Sequence, residues 1–137
     1  MKAITRNTNP HKEGTAGEKI TPGQLVDGAD RENVVKHNQA GGLAASTFAV
    51  EADFVGRGID QDIEEGERIK FRYFRKGDEV HTFLAPGESV EKGDFLESAG
   101  DGSLRAKTES GEVLAQALEE INNSTGEEAV RIDVEVL

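Results

Sequence analysis

Arg68-Ile69-Lys70-Phe71-Arg72-Tyr73 sets three apolar side chains against three cations in strict alternation, and after the turn signal Gly77-Asp78 comes the run Val80-His81-Thr82-Phe83-Leu84. A period of two puts Ile69, Phe71 and Tyr73 on one face of a strand and Arg68, Lys70 and Arg72 on the other, a separation no helix produces. Two such runs either side of Gly-Asp predict a hairpin over residues 68–84. The alternation returns at the end of the sequence. There Val130, Ile132, Val134 and Val136 interleave with Arg131, Asp133 and Glu135, which predicts a long final strand with one buried face.

Turn signals surround these strands. Pro86-Gly87, Lys92-Gly93-Asp94 and Gly100-Asp101-Gly102 recur about every seven residues, too closely for helices of ordinary length. Short apolar groups at Val34-Val35, at Phe48 and Val50 through Phe54-Val55, at Phe95-Leu96 and at Leu104 read as brief strands. Gly56 and Gly58 close the second of these. Glu112 to Ile121 has Leu114, Ala117, Leu118 and Ile121 at helical spacing, but glycine and the Asn-Asn-Ser-Thr-Gly turn bound it without a strong N-cap. It is read as a strand or bulged strand, with a helix as the alternative. The fold class is all-β: about eight or nine short strands, enough for a small barrel or sandwich over residues 20–137. Residues 1–19 are polar, hold almost nothing apolar after Ile4, and read as an extended N-terminal arm.

Composition restricts the function. The chain has 137 residues, no cysteine, and sixteen Lys and Arg against twenty-seven Asp and Glu, a formal charge of −11. Phosphate backbones need a cationic face, so a nucleic-acid partner is not expected. Without thiols there are no disulfides, zinc-thiolate sites or iron–sulfur ligands. No apolar run approaches the roughly 20 residues that cross a bilayer, and the first ten residues lack a signal-peptide core, so no membrane partner is expected and synthesis is expected in a cytoplasm. The arm carries four cations, Lys2, Arg6, Lys12 and Lys19, against Glu13 and Glu18, so the anionic charge resides in the body. A cationic tail on an acidic body reads either as a docking element or as a plainly disordered polar tail, and the acid-rich body also suits high salt.

No motif nominates a catalytic centre or cofactor. His11, His37 and His81 stand alone and read as solvent-facing or strand-surface histidines rather than metal ligands. Asp60-Gln61-Asp62-Ile63-Glu64-Glu65-Gly66 alternates acids as calcium loops do, but its glycine is one place late and Phe71 stands where a bidentate Glu is needed, so it reads as a solvated loop. Gly56-Arg57-Gly58 lacks the Lys-Ser or Lys-Thr ending of a phosphate loop and reads as a turn or bulge. Asn122-Asn123-Ser124-Thr125 holds two overlapping glycosylation sequons; a hairpin turn is the plainer reading.

Gly87-Glu-Ser-Val-Glu-Lys-Gly-Asp-Phe-Leu, then Ala99-Gly-Asp-Gly-Ser-Leu, then Leu114-Ala-Gln-Ala-Leu-Glu form an ordered series. With Phe54-Val-Gly-Arg-Gly-Ile-Asp and Asp78-Glu-Val-His upstream, and Asn123-Ser-Thr-Gly-Glu-Glu and the final strand downstream, the series resembles the head decoration, or capsid cement, proteins of tailed bacterial and archaeal viruses. The resemblance covers about residues 49–137. It implies a β-tulip domain, no enzymatic activity, and homotrimers at threefold and quasi-threefold sites on the outer surface of a virion, bound to the major capsid protein. On charge and position, Lys2, Arg6, His11 and Lys12 are the expected capsid contacts. Apolar faces left at strand edges, among them Phe48, Phe71 and Phe83, are the expected trimer contacts. A carrier-like or ligand-binding β-barrel of cellular origin is the alternative, because Gly-x-x-Val-x-x-Gly-Asp-x-Leu also occurs in biotinyl and lipoyl domains. Those place a modified lysine at a hairpin tip, flanked by methionine or by acidic and apolar neighbours, and the only methionine here is Met1. A hydrolase built on clustered carboxylates is the third reading.

Overall fold

A computed structural model, describing residues 11–51, 58 and 60–137, bears out the all-β reading, with twelve strands and no helix among those residues. The strands are β1 (His11–Thr15), β2 (Val26–Asp27), β3 (Val35–Lys36), β4 (Thr47–Ala49), β5 (Arg68–Tyr73), β6 (Glu79–Leu84), β7 (Ser89–Val90), β8 (Phe95–Ser98), β9 (Leu104–Ala106), β10 (Ala115–Ala117), β11 (Ile121–Asn122) and β12 (Val130–Val136). Strands of two or three residues account for the excess over the expected number. The order β10-β12-β6-β9-β8 closes a barrel, β1-β5-β4 form a second sheet, and β11-β7 and β2-β3 are two-stranded. Glu112 to Ile121 is extended, as β10 and β11, rather than helical.

Burial follows the alternation. Ile69 and Phe71 of β5 are buried, as are Ile132, Val134 and Val136 of β12, while Arg68 and Asp133 are exposed. The hairpin expected over residues 68–84 does not form. β5 is the central strand of its sheet, with β1 on one edge and β4 on the other, so no edge is left for β6. β6 instead runs against β12 from Val130↔Leu84 to Glu135↔Glu79, and touches β9 at Leu84↔Leu104. The connection hands the chain from one sheet to the other. Phe74 is buried and its N–H donates to the Ser46 carbonyl at 2.8 Å, while the Gly77 N–H donates to Val136 at 2.8 Å. The turn between β8 and β9 needs its glycines: Gly100 and Gly102 both have φ of 88°, where a Cβ is strained.

Two apolar cores result. One fills the barrel and includes Leu25, Phe74, Leu84, Leu96, Leu104, Ile132 and Val134. The other lies under the three-stranded sheet and includes Ala16, Ile20, Val34, Ile63, Ile69 and Phe71. β4 joins them, because successive side chains of a strand point to opposite faces: Phe48 enters the barrel core and Ala49 the other. A polar clasp adds to the joint. The buried Thr82 hydroxyl of β6 donates to the Gly23 carbonyl at 2.5 Å, and Arg131 of β12 donates through Nη1 to the Pro22 carbonyl at 2.7 Å.

Residues 11–19, expected in the arm, pack against the body. β1 pairs with β5 from His11↔Arg72 to Thr15↔Arg68, and Ala16 is buried. Residues 1–10, the strand expected at Phe54-Val55 and the Gly56-Arg57 turn lie outside the described residues. Asn123 of the sequons is buried, with Nδ2 donating to the carbonyls of Ala85 (3.2 Å) and Glu128 (2.9 Å), so its amide nitrogen is not open to modification. The segment is a turn, but its flanking strands do not pair with each other: β11 pairs with β7, and β12 with β10 and β6. Asn123→Ala leaves two buried carbonyls without a donor and is expected to cost about 2 kcal/mol of unfolding free energy, measured by chemical denaturation.

Candidate docking cleft

The β2–β3 hairpin lies over β5, close enough that a Cβ on Gly28 would run into the Phe71 ring. From β3 the chain leaves as the loop 37–46 and returns as β4. Backbone bonds fix this loop at several points: the Gly41 N–H donates to Ser98 (2.8 Å), the Glu112 N–H to Gly41 (3.0 Å) and the Phe74 N–H to Ser46 (2.8 Å). His37 is the inner post. Its ring is buried, with Nε2 3.2 Å from the Leu43 carbonyl and Nδ1 2.6 Å from the Ser98 hydroxyl. A carbonyl only accepts, so Nε2 carries a ring proton and donates to Leu43. The expected solvent-facing position is therefore corrected for His37, whose two ring nitrogens find partners inside. With its backbone held this way, Leu43 is left 80% exposed. Between hairpin, loop and sheet runs a cleft of about 400 Å³, with Phe71 and Leu43 as apolar wall, Lys12 and Arg31 as cations, and Asp27 and Tyr73 completing it.

The same loop rests on a fully buried carboxylate. Glu97 of β8 accepts through Oε2 from Arg105 Nε (2.8 Å), and through Oε1 from the Thr108 N–H (2.6 Å) and hydroxyl (2.9 Å). A Cβ at Gly111 would collide with this carboxylate, and one at Gly41 would come within 3.0 Å of it. Burial drives the Glu97 pKa up, but the Thr108 amide and hydroxyl and the Arg105 guanidinium act the other way and prevail, holding it below the ordinary value. Glu97 and Ser98 thus tie loops 37–46 and 107–114 to the barrel.

Among the described residues no three His, Asp or Glu side chains converge as metal ligands. Of the acidic run at residues 60–66, Asp62 accepts from the Thr21 hydroxyl (2.7 Å) and pairs with Lys19 (3.2 Å); the Thr21 bond is the main cause of its lowered pKa. His81 and Asp133 meet at 2.6 Å as a cross-strand pair, but each is about half exposed, so water competes for both.

The residues singled out from sequence scatter. Lys2 and Arg6 lie outside the described residues. His11 is the first residue of β1, opposite Arg72, and Lys12 lines the cleft. The expected interface aromatics are corrected. Phe48 and Phe71 are buried in the chain's own cores, Phe71 showing only an edge to the cleft, and Phe83 lies half-buried beneath the Arg131 guanidinium, 4.1 Å from the ring centre. Sequence reasoning passed over Leu43, Tyr73 and Glu97. Gly41-Gly42, just ahead of Leu43, were the available signal; Gly111 meets Glu97 only in the fold.

No family model and no curated sequence matches the chain. Among solved structures it is similar to the head fiber gp8.5 N base of bacteriophage phi29, with a TM-score of 0.61 and 13% identity over 93% of this chain and 92% of that one. The likeness is one of fold, and it runs nearly from end to end of both chains.

Proposed function

We propose that this chain is a structural protein of a tailed-virus particle. It binds the outer surface of an assembled capsid through the major capsid protein, as trimers at threefold and quasi-threefold sites, and stabilises the shell against internal pressure without catalysing a reaction. The end-to-end fold likeness to a phage head fiber base carries this reading. Charge agrees with it: residues 76–137 hold fifteen carboxylates against five cations, an acidic body that stays soluble and repels nucleic acid. A protein bridging several capsid subunits adds binding free energy that must be overcome before those subunits separate, and several weak contacts from one trimer reinforce one another. Lys2, Arg6, His11 and Lys12 are the proposed contacts, the first two ahead of β1 and the last two on it.

The direct test is electron microscopy of the parent particle, with this chain sought as density on the outer shell. Its absence there, together with failure to cosediment with isolated shells at any salt concentration, rejects the proposal. Truncation locates the contact. Removing residues 1–10 spares β1 and is expected to weaken cosedimentation at least about tenfold with an unchanged melting temperature. Removing residues 1–17 also takes away β1 and Ala16, and is expected to abolish cooperative melting.

A further inference from the structure

Of the five large apolar side chains most exposed among the described residues, Leu43, Tyr73, Val113 and Leu137 lie on segments joined by backbone hydrogen bonds; Phe95 reaches the same group through the bond from the Leu114 N–H to the Leu96 carbonyl, but it stands opposite Gln116, three residues beyond Val113. Leu43 and Tyr73 border the same cleft. The Glu112 N–H binds Gly41, which sets Val113 beside the Leu43 loop, and the Leu137 N–H binds Leu114, which sets the end of β12 beside Val113. The turn after Tyr73 returns to this end through the bond from Gly77 to Val136. Single exposed apolar residues need no explanation, but several gathered on anchored backbone mark a contact surface. Leu43 in particular is held out by its own loop, so little conformational freedom remains to be lost when it is covered.

We infer that the end surface formed by Leu43, Tyr73, Val113 and Leu137 binds a second copy of this chain. The charges around it select that occupant. Arg31 and Asp27 line the cleft with Leu43 and Tyr73, Arg75 and Lys76 follow Tyr73 in the chain and Glu112 precedes Val113, so a second copy brings both signs and each charge can meet its opposite. The barrel half, with its excess of carboxylates, repels its own kind. This inference names the surface for the assembly proposed above and rests on that part of the reading; attachment to a shell does not depend on it.

The experiment is sedimentation equilibrium of the purified full chain at low and high salt, beside Leu43→Asp and Phe95→Asp. Leu43 makes its internal bond through its carbonyl, so its side chain can change without loss of the His37 post. Phe95, equally exposed as Tyr73, sits at the other end of β8 from Ser98, opposite Gln116, and serves as the control. Wild type is expected to self-associate, more tightly at high salt as the repulsion between acidic barrels is screened. Leu43→Asp is expected to raise the dissociation constant at least about tenfold with unchanged circular dichroism and melting, and Phe95→Asp to change nothing. A wild type that stays monomeric, a Leu43→Asp that associates like wild type, or a Phe95→Asp that dissociates equally overturns the inference. Cosedimentation of the same proteins with shells separates its failure from failure of the virion reading, since a monomer that still binds shells loses only the self-contact.

Discussion

Glu97→Ala is expected to lower the unfolding free energy by about 3 kcal/mol, toward the lower end for breaking a buried ion pair because Arg105 keeps a third of its side chain in water. The loss has three parts. The Thr108 amide loses its acceptor, Arg105 loses its anion, and the space against Gly111 is vacated. For a chain of this size the melting temperature should fall by on the order of 10 °C. The damage should spread to the cleft, since Gly41 and Glu112 are bonded to each other above this carboxylate; their amides should exchange faster in the variant. Acid should reveal the same group. Its folded-state pKa lies below that of the unfolded chain, about 4.3, so its contribution is complete above that value and is lost as pH falls through the folded-state pKa. Glu97→Gln, which cannot titrate there, should start less stable at neutral pH and decline less steeply below about pH 4. Asp62 shifts in the same direction but is partly exposed and adds less. An equally steep acid limb in Glu97→Gln, or a cost below about 1 kcal/mol for Glu97→Ala, would show that Glu97 does not hold the loops.

What was legible in the sequence was what a strand decides locally. Ile69 and Phe71, or Ile132 and Val134, declare their buried face through alternation alone, and the glycines at 87, 93 and 100 declare turns. Pairing is not local. Nothing between Tyr73 and Glu79 reveals that β5 already has a neighbour on each edge, so adjacency in sequence suggested a hairpin where the chain changes sheets. The cleft was illegible for the same reason. His37 is an ordinary histidine until Ser98, sixty-one positions away, is brought to its ring. β8 conceals itself more deeply: Leu96, Glu97 and Ser98 are all buried because loops cover its outer face, and a carboxylate at such a place reads as surface in any alternation count. The aromatic residues misled differently. A phenylalanine on a strand signals an apolar face, and whether that face meets its own chain or another depends on layers that periodicity does not describe.

That distinction makes Phe48 the most informative core position. It is fully buried, and its ring meets Phe74 edge-on at 5.6 Å and 79°, with the Arg72 guanidinium over the far partner at 4.9 Å. Its neighbour Ala49 faces the other core, so β4 carries force between the two through a single peptide unit. Phe48→Ala is expected to cost about 4 kcal/mol from lost burial and the cavity left behind, whereas Phe83→Ala, which only uncovers Arg131, should cost about 1 kcal/mol. The chain has one tyrosine and no tryptophan, so emission from Tyr73 reports on the three-stranded sheet while circular dichroism reports on all strands. In wild type the two denaturation curves should coincide, as for one cooperative unit. In Phe48→Ala they should separate, because the bridge that makes unfolding of one core expose the other has been cut. A cost below about 1.5 kcal/mol, or two curves that still coincide after a full loss, would mean that the Thr82 and Arg131 bonds to the Pro22-Gly23 turn are what couple the cores.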